Sequence, residues 1–434
     1  MTTPPRLSRA TLASTVGTAL EWYDFSLYGT ASALVFAHVF FPSGSELAAT
    51  LASLGTFAVG FLARPIGGVV IGLLGDRVGR RQMLFVTLLL MAASSTAIGL
   101  LPTYGSVGMW APVMLVVLRI LQGIGAGGEY AGAMLLSAEH AVDEHRGLNA
   151  SIPSVGNAFG ALLATGIFFL AAAVFPEDQF LVWGWRIPFL LSAVLAIAAF
   201  IIRLRVSESP EFRASDGPRL SGGEQLAEVV RRGGRKIPLA MLMSIAPNVL
   251  SYLPSVYALT YLANQVGAPE SVGLLGLIIA NALKFVTVPT AGWLSDRFGG
   301  RIIMIIGSLA GAVLFFPFFL LLDTGTPVLV WAAFVMIFTL CCDMTLASQA
   351  TMLSTLFDVD VRYGSVTFSR EITGAVVGGG IPFAAAALTG VLDGQPWLVA
   401  ILCAVLCVIC ALGTRALPEL KRGRPAAVTS TVRQ

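Results

Sequence analysis

The chain reads as an all-α membrane protein: twelve transmembrane helices in two pseudo-symmetric six-helix bundles. Three observations predict this. Of its 434 residues, 56% are hydrophobic and 12% charged, with a mean hydropathy of +0.82. A soluble chain carries about 25% charge, so the apolar surface here calls for lipid as solvent. Stretches of about 20 mostly apolar residues, enough for one helix to span a bilayer, recur along the whole chain. Finally, a charged turn occurs twice, 220 positions apart, as GLLGDRVGRRQML (Gly72–Leu84) and GWLSDRFGGRIIM (Gly292–Met304). Each copy lies between two apolar stretches, which is the mark of two related halves.

The predicted spans are 12–38, 47–74, 82–101, 109–137, 148–173 and 186–204, then 237–263, 271–294, 302–322, 327–355, 363–391 and 395–415. The first contains Glu21 and Asp24 and lacks a small-residue cleavage site, so it is expected as a retained helix and not a signal peptide. Spans two and eight run into the charged turns, and spans three and nine leave them. Small-residue pairs such as Gly68/Gly72, Gly123/Gly127, Gly156/Gly160 and Gly374/Gly378 suit close helix approach, although glycine is common in any membrane helix. Between spans six and seven lies the longest polar stretch, with SESPEFRASDGPRLSGGEQ and RRGGRK. The expected organisation is a bundle over 1–204, a linker over 205–236, a bundle over 237–416 and a tail over 417–434.

Lysine and arginine set the expected orientation. Of the 27, 22 fall in the N-terminus, the even-to-odd loops and the C-terminal tail. The positive-inside rule then places both termini and the linker in the cytoplasm of a multi-pass plasma (inner) membrane protein. The net charge of +3 gives no reason to expect nucleic acid as a partner. Five cysteines (341, 342, 403, 407, 410) lie inside apolar stretches and read as membrane-core residues, neither disulfides nor metal ligands. The three histidines are scattered, and no cofactor motif or nucleophile–base pair is present, so an enzyme, a metal site and a bound cofactor are not expected.

Several motifs carry a closer resemblance. They are EWYDFSLYG (Glu21–Gly29), GFLARPIGG (Gly60–Gly68), GDRVGRR (Gly75–Arg81), LRILQGIGAGGEYAGA (Leu118–Ala133), GWRIPF (Gly184–Phe189) and ESPEF (Glu208–Phe212). In this order the chain resembles the major facilitator superfamily and, within it, the metabolite:proton symporter family, over nearly its whole length. The resemblance implies transport by alternating access, with protons as the coupling ion. It also implies a small organic acid or betaine-like solute as partner. A monomer in the lipid bilayer is the expected assembly.

Charges inside the membrane are expensive, roughly 3 kcal/mol each on insertion scales, so they pair or line a polar cavity. The acids are Glu21, Asp24, Glu129, Asp343 and Glu371, and the bases Arg64, Arg119, Lys284 and Arg370. Glu21 and Asp24 are three apart and share a helix face. Two close carboxylates hold protons more readily, and the resemblance favours this pair for coupling; a structural ion pair is the alternative. Arg119, whose span faces the central cavity in the superfamily resembled, reads as a substrate or coupling residue, or as a permanent partner of those acids. Lys284 reads as a point-charge anion site, so that an anion bridges Arg119 and Lys284; neutralisation by Asp343 is the alternative. Arg370 and Glu371 depart from the resembled family, where uncharged residues are commoner, and read as a different ligand contact or an added ion pair. Tyr28, Asn157, Asn248, Tyr252, Tyr257, Asn281 and Gln349 are uncharged candidates.

The turns read as gates. Asp76 with Arg77, Arg80 and Arg81, and Asp296 with Arg297 and Arg301, form charged latches before spans three and nine; a carboxylate there is stabilised by a helix N-terminus. Arg146 is the matching loop residue, and Glu129 a packing or gating residue. Gly300 in place of Arg80 predicts a weaker second latch. The leading function is proton-coupled uptake of a small carboxylate or zwitterion. The alternatives are a proton-antiport exporter, disfavoured by the absence of GxxxGPxxGG on span five, and a solute-binding sensor.

Overall fold

The computed structural model describes the backbone of residues 9–42, 44–78, 80–127, 146–204 and 231–417, with side chains there except at 9–16, 72–82, 84, 146–153, 177, 202–204, 359 and 360. Among the described residues the chain is helical, with no strand. The first six long helices are α1 (Arg9–Leu34), α2 (Glu46–Val78), α3 (Arg80–Leu100), α4 (Trp110–Ala126), α5 (Arg146–Val174) and α6 (Phe180–Ile201). The second six are α7 (Lys236–Val266), α8 (Glu270–Phe298), α9 (Gly300–Asp323), α10 (Pro327–Leu356), α11 (Val361–Val391) and α12 (Trp397–Arg415). By length and hydropathy, α2 and α5 to α12 are able to cross a membrane. The apolar parts of α3 and α4 are shorter, Phe85–Leu100 and Trp110–Ala126. The fourth helix was expected to reach residue 137; its described part ends at Ala126, and 128–145 lie outside the described residues.

The pairings repeat between the halves. In the first, α1 packs on α5, α2 on α4 and α3 on α6; in the second, α7 packs on α11, α8 on α10 and α9 on α12. Across the halves, α5 meets α8, α2 meets α11 and α1 meets α7. The outer surface keeps large apolar side chains exposed, including Leu89, Trp110, Val286, Val313 and Val391. In water such a surface would be a liability, whereas against lipid tails it needs no cover.

Small residues set the closest approaches. A Cβ on Gly123 of α4 would stand 2.2 Å from the Gly60 carbonyl oxygen of α2, and one on Gly160 of α5 would stand 2.0 Å from the Ala19 carbonyl oxygen of α1. The second charged turn is tight for a different reason: Gly299, at φ +95°, ends α8 and starts α9, a conformation that costs a side chain.

Helical regularity breaks in both halves, including a wider π turn at Phe180–Gly184 at the start of α6. Further π turns occur at Leu253–Tyr257 and Leu262–Val266 in α7, Phe338–Cys342 in α10 and Gly374–Gly378 in α11. Such turns mark functional positions, and in a membrane irregular backbone is tolerated where protein or a cavity covers it.

The glycine contact between α1 and α5 gives a stability prediction. Gly160→Ala should lower the melting temperature in detergent, by an overpacking cost of about 1–3 kcal/mol. Gly166→Ala on the same helix, where an added Cβ meets nothing within 4 Å, should leave it unchanged. Equal effects of the two would refute the close-packing account.

Candidate functional site

A narrow cavity lies between the halves, with about 540 Å³ of unfilled space counting the part open to solvent. The first half contributes Trp22, Phe25, Ser26 and Thr30 of α1, Phe57 of α2, and Asn157, Ala161 and Thr165 of α5. The second contributes Ser251, Tyr252, Ser255 and Val256 of α7, Leu277, Asn281 and Lys284 of α8, and Phe338 of α10. Two of the π turns, at Leu253–Tyr257 and at Phe338–Cys342, therefore reach the wall. Among the described residues, Lys284 is the one charged residue of the wall. The ammonium lies 4.4 Å from the centroid of the Phe338 ring and, among the described residues, makes no hydrogen bond or ion pair. Asp343, fully buried on α10, accepts a hydrogen bond from the Thr287 hydroxyl and does not pair directly with Lys284.

Glu21, Asp24, Arg64, Arg119 and Glu371 are buried behind this wall. On α1 the face Glu21, Asp24 and Tyr28 turns into the first half, while the face one residue further on, Trp22, Ser26 and Thr30, lines the cavity. Glu21 binds Arg64 of α2, with Nη2 to Oε1 at 2.5 Å. The same guanidinium reaches Glu371 of α11, with Nε to Oε2 at 2.7 Å, and all three residues are buried. Arg370, next in sequence to Glu371, is half-buried. Glu21 and Asp24 do border one small space, shared with α3 and α6, but they have different partners. Asp24 accepts a 2.8 Å hydrogen bond from the Ser192 hydroxyl of α6 and has no ion-pair partner among the described residues.

Arg119 does not line the cavity that Lys284 faces. Arg119 is fully buried and donates through Nη1 to Gln122 Oε1 at 2.5 Å. Its guanidinium carbon lies 3.9 Å from the Tyr28 ring centroid, 4.5 Å from that of Phe25 and 5.4 Å from that of Phe57. Phe25 and Phe57 also line the cavity, so two rings stand between Arg119 and any solute there. Gln122 passes the contact on to Ser95 through a 2.6 Å bond, while the Tyr28 hydroxyl donates to Thr56 at 2.6 Å. A Cβ on Gly60 would stand 2.1 Å from Arg119 Nε, so glycine leaves the space the guanidinium fills.

Among the uncharged candidates, Asn157, Tyr252 and Asn281 reach the cavity. Asn248 donates to the Ser244 carbonyl, Gln349 to the Ser244 hydroxyl, and Tyr257 bonds Thr389. Sequence reasoning missed Trp22, Ser26, Thr30 and Phe338 on the wall, and Gln122, Ser95 and Ser192 as partners of buried charge. The spacing of 22, 26 and 30 along one face of α1 was the available signal.

The side chains of Asp76, Arg77, Arg80, Arg81, Glu129 and Arg146 lie outside the described residues. In the second turn, Asp296 sits in the last turn of α8, and not at the start of α9. The chain does not reverse until Gly299, which explains the difference. Arg297 lies over the rings of Trp293 and Phe298 of its own helix. Arg301 donates to the Leu417 carbonyl just beyond α12 at 2.5 Å, tying the turn to the end of its own half.

A family model described as "Sugar (and other) transporter" matches residues 10–232, and one described as "MFS/sugar transport protein" matches residues 131–391. The chain is 37% identical to the shikimate transporter of Escherichia coli K12, over 96% of each chain. It is 38% identical to the inner membrane metabolite transport protein YhjE of the same strain, over 87% of each. With the proline/betaine transporter of Salmonella typhimurium it shares 34% identity, over 86% of this chain and 76% of that one. Among solved structures, the partially occluded, inward-open xylose transporter XylE of E. coli superposes with a TM-score of 0.76, at 19% identity, over 96% of this chain and 98% of that one. With relatives this similar along most of their length and the same fold end to end, the chain belongs to the major facilitator superfamily, a family of membrane transporters and not of enzymes.

Proposed function

We propose that this transporter takes up a small carboxylate or zwitterion together with protons, at the inner membrane, with both termini in the cytoplasm. The observation that carries the reading is the division of labour among buried charges. Lys284 faces a cavity shared by both halves, while Asp24 is buried behind it with the Ser192 and Ser95 hydroxyls as partners and Arg119 acting on it only at longer range, without a direct ion pair among the described residues. A buried charge without a direct ion pair is costly, and a proton removes that charge. Glu21 is less suited to carry the proton because Arg64 holds it. Relatives that handle shikimate, proline and betaine support a small polar solute and define a first panel, shikimate and glycine betaine.

Alternating access then needs the two ends of the cavity to open in turn. At the end away from the termini, the Thr260 hydroxyl donates to the Ala33 carbonyl at 3.3 Å, and the Asn264 amide to the Thr50 hydroxyl at 3.2 Å. Toward the termini, Arg64–Glu371 joins α2 to α11. Arg64 lies seven residues along α2 from Phe57 on the cavity wall, about 10 Å at 1.5 Å per residue. In the proposed cycle, separation of the halves at this end breaks the Arg64–Glu371 bond and leaves Arg64 with Glu21.

Two measurements follow. In proteoliposomes, Asp24→Asn should abolish accumulation driven by an inward proton gradient yet keep solute counterflow; accumulation at the wild-type level would exclude Asp24 as the coupling site. Glu371→Gln removes one charged hydrogen bond from the closed end, a bond worth about 1.5–3 kcal/mol. A cysteine at Ser26 should then react roughly tenfold faster with an impermeant thiol reagent in inside-out vesicles, and an unchanged rate would rule out the gate.

A further inference from the structure

Resting on that reading, we propose that Lys284, Asn281 and Asn157 form the recognition site for a hydroxylated monocarboxylate, with Lys284 as the residue that selects an anion over a zwitterion. Three polar side chains on the wall support this. Lys284 is 5% exposed, Asn281 4% and Asn157 4%. Among the described residues, none of the three makes a hydrogen bond. Polar groups shielded from bulk water want partners, and here the polar atoms of all three are not sealed in protein but open onto one cavity, where a solute can supply them. Lys284 and Asn281 are three apart on α8 and so share a face, while Asn157 comes from α5 in the other half. A solute that binds all three bridges the halves.

The rest of the wall decides the charge of that solute. Among the described residues the wall has one cation and no acid, since Glu21, Asp24, Asp343 and Glu371 all lie off it. A carboxylate on the ammonium gains a charge-assisted hydrogen bond. The quaternary ammonium of a betaine would need an acid or an open aromatic face, and the wall aromatics are already engaged. Phe338 carries Lys284, Phe25 and Phe57 carry Arg119, and Trp22 stacks on Tyr252 with centroids 5.9 Å apart. A second cation against the rings that hold Arg119 or Lys284 would be repelled. The hydroxyl groups of Ser26, Thr30, Ser251 and Ser255, with the two amides, offer both donors and acceptors, which suits hydroxyl groups on the remainder of the solute.

The test is binding and counterflow with purified full-length protein, using three probes: shikimate, its uncharged methyl ester and glycine betaine. Shikimate should raise the melting temperature and exchange in counterflow, and the other two should do neither. Lys284→Gln should weaken shikimate binding roughly 10–100-fold, with Lys284→Arg recovering part of it. If Lys284→Gln does not fold, the ester on the wild-type protein reads the same charge requirement. Shikimate binding unchanged in Lys284→Gln, competition by the ester, or stabilisation by betaine as strong as by shikimate would each overturn the assignment while leaving transport intact. Failure of every probe to bind or to be transported would overturn the functional reading, and this inference with it.

Discussion

A single guanidinium joins the two halves in the interior of the membrane. Arg64 bonds Glu21 within its own half and Glu371 across the interface. Each of these charges alone would be costly in a low-dielectric interior, and removing one partner of a buried pair costs about 3–5 kcal/mol. The bridge therefore constrains which helices can separate. With α1, α2 and α11 tied at one level, opening of the cavity toward the termini, as proposed above, would require the second carboxylate to be released. Arg64 keeps one partner in its own half when that happens, which limits the cost of separation.

The duplicated architecture makes this bridge informative. Arg64 and Lys284 each stand eight residues before the repeated turn, at Gly72 and Gly292. They are equivalent positions on α2 and α8, and both are buried cations. Their surroundings differ. Arg64 has two carboxylates in contact, whereas Lys284 has an aromatic face, a nearby carboxylate held by Thr287, and a cavity. The two residue types suit the two jobs. A planar guanidinium holds two acids at fixed geometry, while a flexible ammonium makes a point-charge site for an exchangeable partner. On the proposed reading, equivalent positions would support closure in one half and solute contact in the other.

The helical architecture was readable from the sequence because hydropathy, repeated turns and loop charge are all coarse, one-dimensional signals. The list of intramembrane charges was readable too, since in hydrocarbon each one calls for an explanation. Partnership was not. Glu21 and Asp24 look like a pair at three-residue spacing, but their partners come from α2 and α6, and nothing local to α1 indicates which. Arg119 looks like a cavity residue on its helix, yet Phe25 and Phe57 from two other helices cover it. Asp296 looks like a residue near the start of the ninth helix, and the reversal comes only at Gly299, three residues on. In each case the deciding information is which helix faces which, and that depends on contacts far apart in the chain.

The separation between Asp24 and the cavity restricts how coupling can work. A proton on Asp24 and a solute on Lys284 do not touch: Asp24 faces α3 and α6, while Lys284 faces the interface. Direct charge exchange between them has no path through the described wall. What lies between is a packed unit: α1 itself, with Phe25 on the wall and Tyr28 behind it, and Arg119 held against both rings. Packed cores respond to a local change by moving between discrete arrangements, not by yielding gradually. If protonation of Asp24 loosens the hold of α6 on α1, the shift is transmitted through Arg119 and its rings to the wall the solute touches. In the proposed cycle, coupling would then be carried by the position of α1, with Arg119, which also feels the charge of Asp24, as the joint.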